Sequence, residues 1–233
     1  KAFEYTKSLD TSLNDIRIVS DKSASDMERF AVQANKAAKA LGSTTRDYTN
    51  ESLIYYQQGL NDEETAARAE TTLKTANVTA QSGQEVSEQL TAIWNGYRVQ
   101  AEETELYIDK VAKVAATSAA DLEELATGMS KVASAANSAG VDIDQLNATL
   151  ATVISVTREA PETIGSAFKT IYARLGDLAL DGEDEYGVSL GKVSGQLHDL
   201  GIEILTDNGE MREMGDIVED IAAKWETWTR AQK

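Results

Sequence analysis

The sequence has no cysteine, a single histidine and a single proline. Without cysteine it can build no disulfide scaffold, no thiolate nucleophile and no sulfur-ligated zinc site. With His198 as the lone histidine, a zinc site with two histidines is excluded too. Nowhere does the chain approach the ~18 consecutive apolar residues of a membrane-spanning helix, and no apolar signal core stands near its start. Positive charge is also scarce: 22 Lys and Arg face 39 Asp and Glu, for a formal charge of −17. An acidic surface repels DNA and anionic lipid, so no specific nucleic-acid binding is expected.

What is present supports an ordinary folded protein. Of 233 residues 42% are apolar and 26% charged, enough to bury a core. Helix interruption by proline is almost absent, and Ala, Glu, Gln, Lys and Thr abound. These features predict an all-α fold, a multi-helix bundle or array of helical hairpins. The chain opens on Lys1 rather than methionine and reads as an excised piece of a longer polypeptide.

Local signals divide it further. Ile16, Val19, Met27, Phe30, Ala34 and Ala37 give two helices broken near Ser20–Ser25, the second ending at Gly42. A third helix covers Thr45 to Gln58, and a fourth runs from about Asn61 to Asn77 with Asp62, Glu63 and Glu64 at its positive end. After Ser82, residues Val86, Leu90, Ile93, Trp94 and Tyr97 fall on one helical face, with Gly96 weakening the end. A further helix carries Tyr107, Val111, Val114 and Ala115. Then Leu122, Leu125, Met129, Val132 and Ala133 recur 21 residues later as Ile143, Leu146, Leu150, Val153 and Ile154, each set preceded by Asp121 or Asp142. An internal repeat and two merely similar amphipathic helices both fit this coincidence. Either way a short link containing Gly140 predicts an antiparallel hairpin.

Pro161 suits the first position of the next helix, whose stripe is Ile164, Phe168, Ile171 and Leu175. Residues 176–191 turn acidic and glycine-rich, with Asp181, Gly182, Glu183, Asp184 and Glu185, and read as a solvated loop. A helix follows from about Val188 to Leu200. Ile202, Ile204 and Leu205, then Asp207, Asn208 and Gly209, with Met211 and Met214 beyond, predict one small β-hairpin near 202–214. The last helix starts near Asp216 and carries Ile217, Ile221, Trp225 and Trp228. Three regions follow: 1–22, a helical segment continuing from upstream chain; 23–178, a helical core; and 179–233, the loop, helix, hairpin and final helix.

Catalytic and ligand motifs fail on inspection. Gly187, Gly191 and Lys192 are one residue short of a phosphate loop, and Val193 stands where Ser or Thr would hold magnesium. Asp181, Glu183 and Glu185 begin like a calcium loop, but Tyr186 takes the glycine position and Lys192 that of the bidentate glutamate. His198 has the context of a structural residue, and no serine sits in a nucleophile elbow. Asn50, Asn77 and Asn147 head Asn-x-Ser/Thr triplets that matter only in a secretory setting. No catalytic residue, metal ligand or cofactor is therefore expected. Trp94, Tyr97, Trp225 and Trp228 are either core residues or anchors for a partner chain. Gly140 and Gly182 are candidate hinges.

Three stretches carry a family likeness: LTAIWNGYRV (Leu90 to Val99), the run from Glu105 to Leu178 with its GMSKVASAAN and SVTREAPETIG blocks, and the closing MGDIVEDIAAKWETWTRAQ. Together they resemble the core region of the phage tail tape measure protein family, from about Ser23 to the end. The resemblance implies a virion protein of long-tailed phages, made in the host cytoplasm and housed in the tail. There it sets tail length while tube subunits polymerise around several copies, then leaves ahead of DNA during ejection. It implies tail tube protein, tail assembly chaperones and tail-tip proteins as partners, and a homo-oligomer in the tail. A continuous helix of this length would span only about 350 Å at 1.5 Å per residue, and glycines interrupt the pattern. The segment is accordingly expected to be a compact, folded-back portion of such a protein. Two other classes stand as alternatives: a host-side helical scaffold or adaptor, and, because the resemblance implies that some members of this family carry one, a cell-wall hydrolase domain.

Overall fold

Helix starts are written in side chains that cap free backbone amides. Ser23, Asn61, Ser82 and Asp121 each accept from the amide three residues on, where Asp26, Glu64, Glu85 or Glu124 reaches back to the cap amide. Such reciprocal boxes satisfy two donors that the helix itself leaves unpaired. Thr44 and Asp142 cap without the return bond. The structure, a computed structural model, describes residues 2–177, 190–209 and 212–230, with side chains over 3–174, 194–209 and 212–230. Its helices are α1 (Ala2–Ser20), α2 (Ala24–Ala40), α3 (Thr45–Gln57), α4 (Asp62–Thr79), α5 (Gly83–Tyr97), α6 (Thr104–Ala115), α7 (Leu122–Ser138), α8 (Ile143–Thr157), α9 (Pro161–Asp177), α10 (Leu190–Asp199) and α11 (Met214–Trp225). A 3₁₀ turn, Ala101–Glu103, leads into α6.

Helix ends use a second local device. At Gly42, Gly59, Gly140 and Gly201 the backbone turns left-handed. The next amide then bonds back to the carbonyl five residues earlier, as Val141 N–H does to Ala136 O at 2.9 Å. Gly83 and Gly96 do not interrupt a helix: the first begins α5 and the second lies inside it.

The main core is built around α7, which packs against α5, α6, α8 and α9. Trp94, Leu90, Leu125, Met129, Leu146, Leu150 and Ile154 are fully enclosed there, each such aliphatic side chain contributing roughly 1.5–3 kcal/mol. The near-repeat positions on α7 and α8 are all buried except Val153, which is half-buried. The two helices run antiparallel, since the end of α8 meets the start of α7: Arg158 Nη1 donates to Ala119 O at 2.6 Å, and Ala119 N–H to Ser155 Oγ at 3.1 Å. Two smaller clusters join α1, α2, α3 and α4, with Ile16, Met27 and Tyr56 in one and Ala34, Tyr48 and Leu73 in the other. Thus α1 docks on α3, tied also by Ser12 Oγ to Asn50 Oδ1 at 2.7 Å. Met214, at the start of α11, reaches into the main core.

Two expectations need correction. On α9 the buried line is Ile164, Phe168 and Tyr172, with the two rings 5.7 Å apart, whereas Ile171 is 43% exposed. The i, i+4, i+8 row faces α7, and the predicted stripe strays from it. The β-hairpin near 202–214 is absent: among the described residues there is no strand, only an isolated bridge at Leu205. A turn does close there, with Gly209 N–H on Thr206 O at 2.9 Å and Gly209 left-handed. Asp207 and Asn208 are its central pair, followed by the glycine. One backbone bond crosses the turn, from Arg212 N–H to Ile204 O at 3.0 Å, and α11 then starts at Met214, while Ile202 and Ile204 pack in a cluster with Ile217, Leu197, Ile221 and Trp228.

Candidate functional site

The two sequence blocks that carry the family likeness meet in space. Gly128 opens GMSKVASAAN on α7, and Gly165 closes SVTREAPETIG on α9. A Cβ on Gly165 would lie 2.3 Å from Gly128 O and 3.0 Å from Lys131 Cβ. Backbone therefore passes against backbone at this crossing. On the opposite side of α7, a Cβ on Gly96 of α5 would fall 2.7 Å from Ala133 Cβ and 2.8 Å from Ser134 N. Gly96 and Gly165 thus let α5 and α9 approach the backbone of α7, whereas a Cβ on Gly128 would meet its neighbours only at 3.5 Å and beyond; these motif residues serve packing.

Gly140, a predicted hinge, sits at φ +74° between α7 and α8 and is fixed by the bonds Gly140 N–H to Asn137 O and Val141 N–H to Ala136 O. Tyr97 braces the same corner, its hydroxyl donating to Val141 O at 3.1 Å. Glu213 lies against it as well, since a Cβ on Gly140 would meet Glu213 Oε2 at 2.8 Å. Gly182, the other hinge, and the acidic loop lie outside the described residues, as do the residues of the calcium-like stretch.

The aromatic candidates separate by burial. Trp94 is sealed in the core, 6.2 Å from the Tyr55 ring and under the Arg68 guanidinium at 5.1 Å. It has no surface to offer a partner in this arrangement. Arg68 is itself buried, donates to Val99 O at 3.3 Å, and has its pKa lowered chiefly by that burial. Trp225 is 42% exposed, with its ring 6.0 Å from that of half-buried Trp228, which lies past the end of α11. This pair alone among the four presents indole surface beside a C-terminal helix. His198 is on the surface, its Nδ1 2.8 Å from the Glu203 carboxylate. Asn147 is buried, with Nδ2 facing Lys110 O.

A groove of about 710 Å³ opens where α3, the end of α4 and the start of α5 converge. Glu51 of α3 lines it at 4% exposure, and its Oε2 has no hydrogen-bond partner. Gly83 makes room for it, because a Cβ there would fall 2.1 Å from Glu51 Oε1. Burial, aided by the negative charge of Asp47 one turn earlier, pushes the Glu51 carboxyl up to about 7. Gln81, at the groove's α4–α5 side, has a second buried acceptor, Oε1, without a partner. Asp47 and Glu88 complete the charged lining; no Lys, Arg or His lines the groove. Sequence reading missed Glu51, yet a signal exists: Tyr48, Glu51 and Tyr55 follow the 3–4 spacing of a buried face. Among the described residues no group of three or more acidic or histidine side chains is placed to hold a metal ion, and no helix is long and apolar enough to cross a membrane.

No solved structure matches this chain. A family model described as phage-related minor tail protein matches residues 34–233, which includes both crossing motifs, the groove and the C-terminal helix. The chain therefore belongs to the family of phage-related minor tail proteins, a membership that points to a structural role in the phage tail and to the virion tail as its location.

Proposed function

We propose that this chain is a compact segment of a tail tape measure protein, one that takes part in setting tail length, in assembling the tail tube and in genome ejection. Membership in a tail protein family supports the tail role, and the GMSKVASAAN and SVTREAPETIG blocks support the tape measure assignment. The architecture supports the division of labour within it. Among the described residues the longest helix, α1, has 19 residues, about 28 Å at 1.5 Å per residue, and its neighbours fold back on one another. Length is then measured by extended helix elsewhere in the full chain, while this bundle serves as a structural and interaction module rather than an enzyme. Tube protein, assembly chaperones and tail-tip proteins are the partners in this reading, met first in the host cytoplasm, with several copies present per tail.

The test is electron microscopy of phage whose full-length gene carries in-frame deletions in helical sequence outside this segment. Tails shortened by about 1.5 Å per residue removed support the ruler. Tails of unchanged length remove it.

A further inference from the structure

We propose that the groove between α3, α4 and α5 is a receptor for an arginine side chain of a partner polypeptide. The groove holds buried acceptors whose demand its own residues do not meet. Glu51 Oε2 and Gln81 Oε1 are both buried acceptors without a partner, and a buried acceptor left unmatched is costly. Its charged lining is Asp47, Glu51 and Glu88, with no basic residue. Asp47 is already engaged by the Thr44 hydroxyl at 2.6 Å and the Arg46 guanidinium at 3.4 Å. Helix α4 contributes Leu73, Ala76 and Asn77 and so no charge. The unmet demand is thus centred on Glu51.

Guanidinium is the group that meets this demand. It is always charged, carries five N–H donors and no acceptor, forks onto a carboxylate in two parallel bonds, and sheds water more readily than an ammonium. At about 710 Å³ the groove is roomy enough for a whole side chain. A divalent cation is a poorer occupant, because no three carboxylates converge. Gly83 leaves the space that the carboxylate occupies at the start of α5, since a Cβ there would meet Glu51 Oε1 at 2.1 Å and push the side chain aside. This inference stands apart from the tape measure assignment.

The probe is the peptide acetyl-Gly-Arg-Gly-amide, titrated into the ¹⁵N-labelled chain, with a citrulline twin of the same shape and no charge. The arginine peptide should give saturable shifts centred on Gly83, Gln84 and Ser87, and the citrulline and lysine versions should bind at least about tenfold more weakly. Because Glu51 pairs with a guanidinium only as the anion, binding should also weaken about tenfold from pH 8 to pH 6. Glu51→Gln should abolish that pH dependence along with most of the affinity. Equal binding of the citrulline or lysine twin, or no saturable shift by about 50 mM arginine peptide, would overturn the proposal; neither comparison needs the variant to fold.

Discussion

Glu51 is where a single residue governs a measurable property of the fold. Its carboxyl moves from 4.5 to about 7 because burial disfavours the anion, with Asp47 adding repulsion. The sign follows directly. A folded-state value above the unfolded one means that Glu51 costs nothing below about pH 4.5, and that stability drains away as pH rises through 7. The shift corresponds to about 3 kcal/mol. Glu51→Gln cannot ionise, so relative to this variant the parent should lose about 3 kcal/mol between pH 4.5 and 8. Urea unfolding of both proteins across that range is the measurement, and parallel stability curves would show that the carboxylate is solvated after all.

At the scale of elements, Gly96 of α5 and Gly165 of α9 reverse an ordinary rule. A helix-interior glycine replaced by alanine normally gains about 1 kcal/mol from helix propensity. At Gly165 the added methyl meets Gly128 O at 2.3 Å, and backbone cannot swing aside as a side chain can. Gly165→Ala should therefore destabilise by about 1–3 kcal/mol through overpacking, read as a lowered midpoint in thermal or urea unfolding. An increase would mean that α7 and α9 separate freely. The same contrast marks what the sequence made legible. The helix starts near Asn61 and after Ser82, the start at Pro161 and the paired stripes of α7 and α8 behind Asp121 and Asp142 are local in origin, and each appears where the spacing put it. The crossing role of Gly96 and Gly165, the turn of α9 toward Tyr172, the missing ladder beside Gly209 and the lack of a partner at Glu51 Oε2 all depend on which neighbour arrives. No periodicity within one helix encodes that. Trp94 and Trp225 show it most simply: both sit on apolar stripes, one is sealed under Arg68 and the other lies partly in solvent.

Across the whole molecule the dominant quantity is charge. A surplus of seventeen negative charges is spread over one small protein, and the opposing pairs do little to offset it. Lys74–Glu105 and Lys110–Asp144 span 2.6 and 2.7 Å, but all four side chains are 42–58% exposed, where such pairs are worth about 0–1 kcal/mol. Long-range repulsion among unpaired carboxylates therefore outweighs short-range attraction, and salt acts on the repulsion first. Raising sodium chloride from about 20 to 300 mM shortens the Debye length from about 20 Å to about 6 Å, so the thermal midpoint followed by circular dichroism should rise. A fall would show that the surface ion pairs carry the fold. The same field sets behaviour toward DNA. With acidic groups in excess on the surface, duplex DNA should pass this chain in a mobility-shift assay without retardation even at low salt. Strong, salt-sensitive retardation would require a local basic face that overrides the net charge, and would remove the electrostatic support for the proposed role in genome ejection.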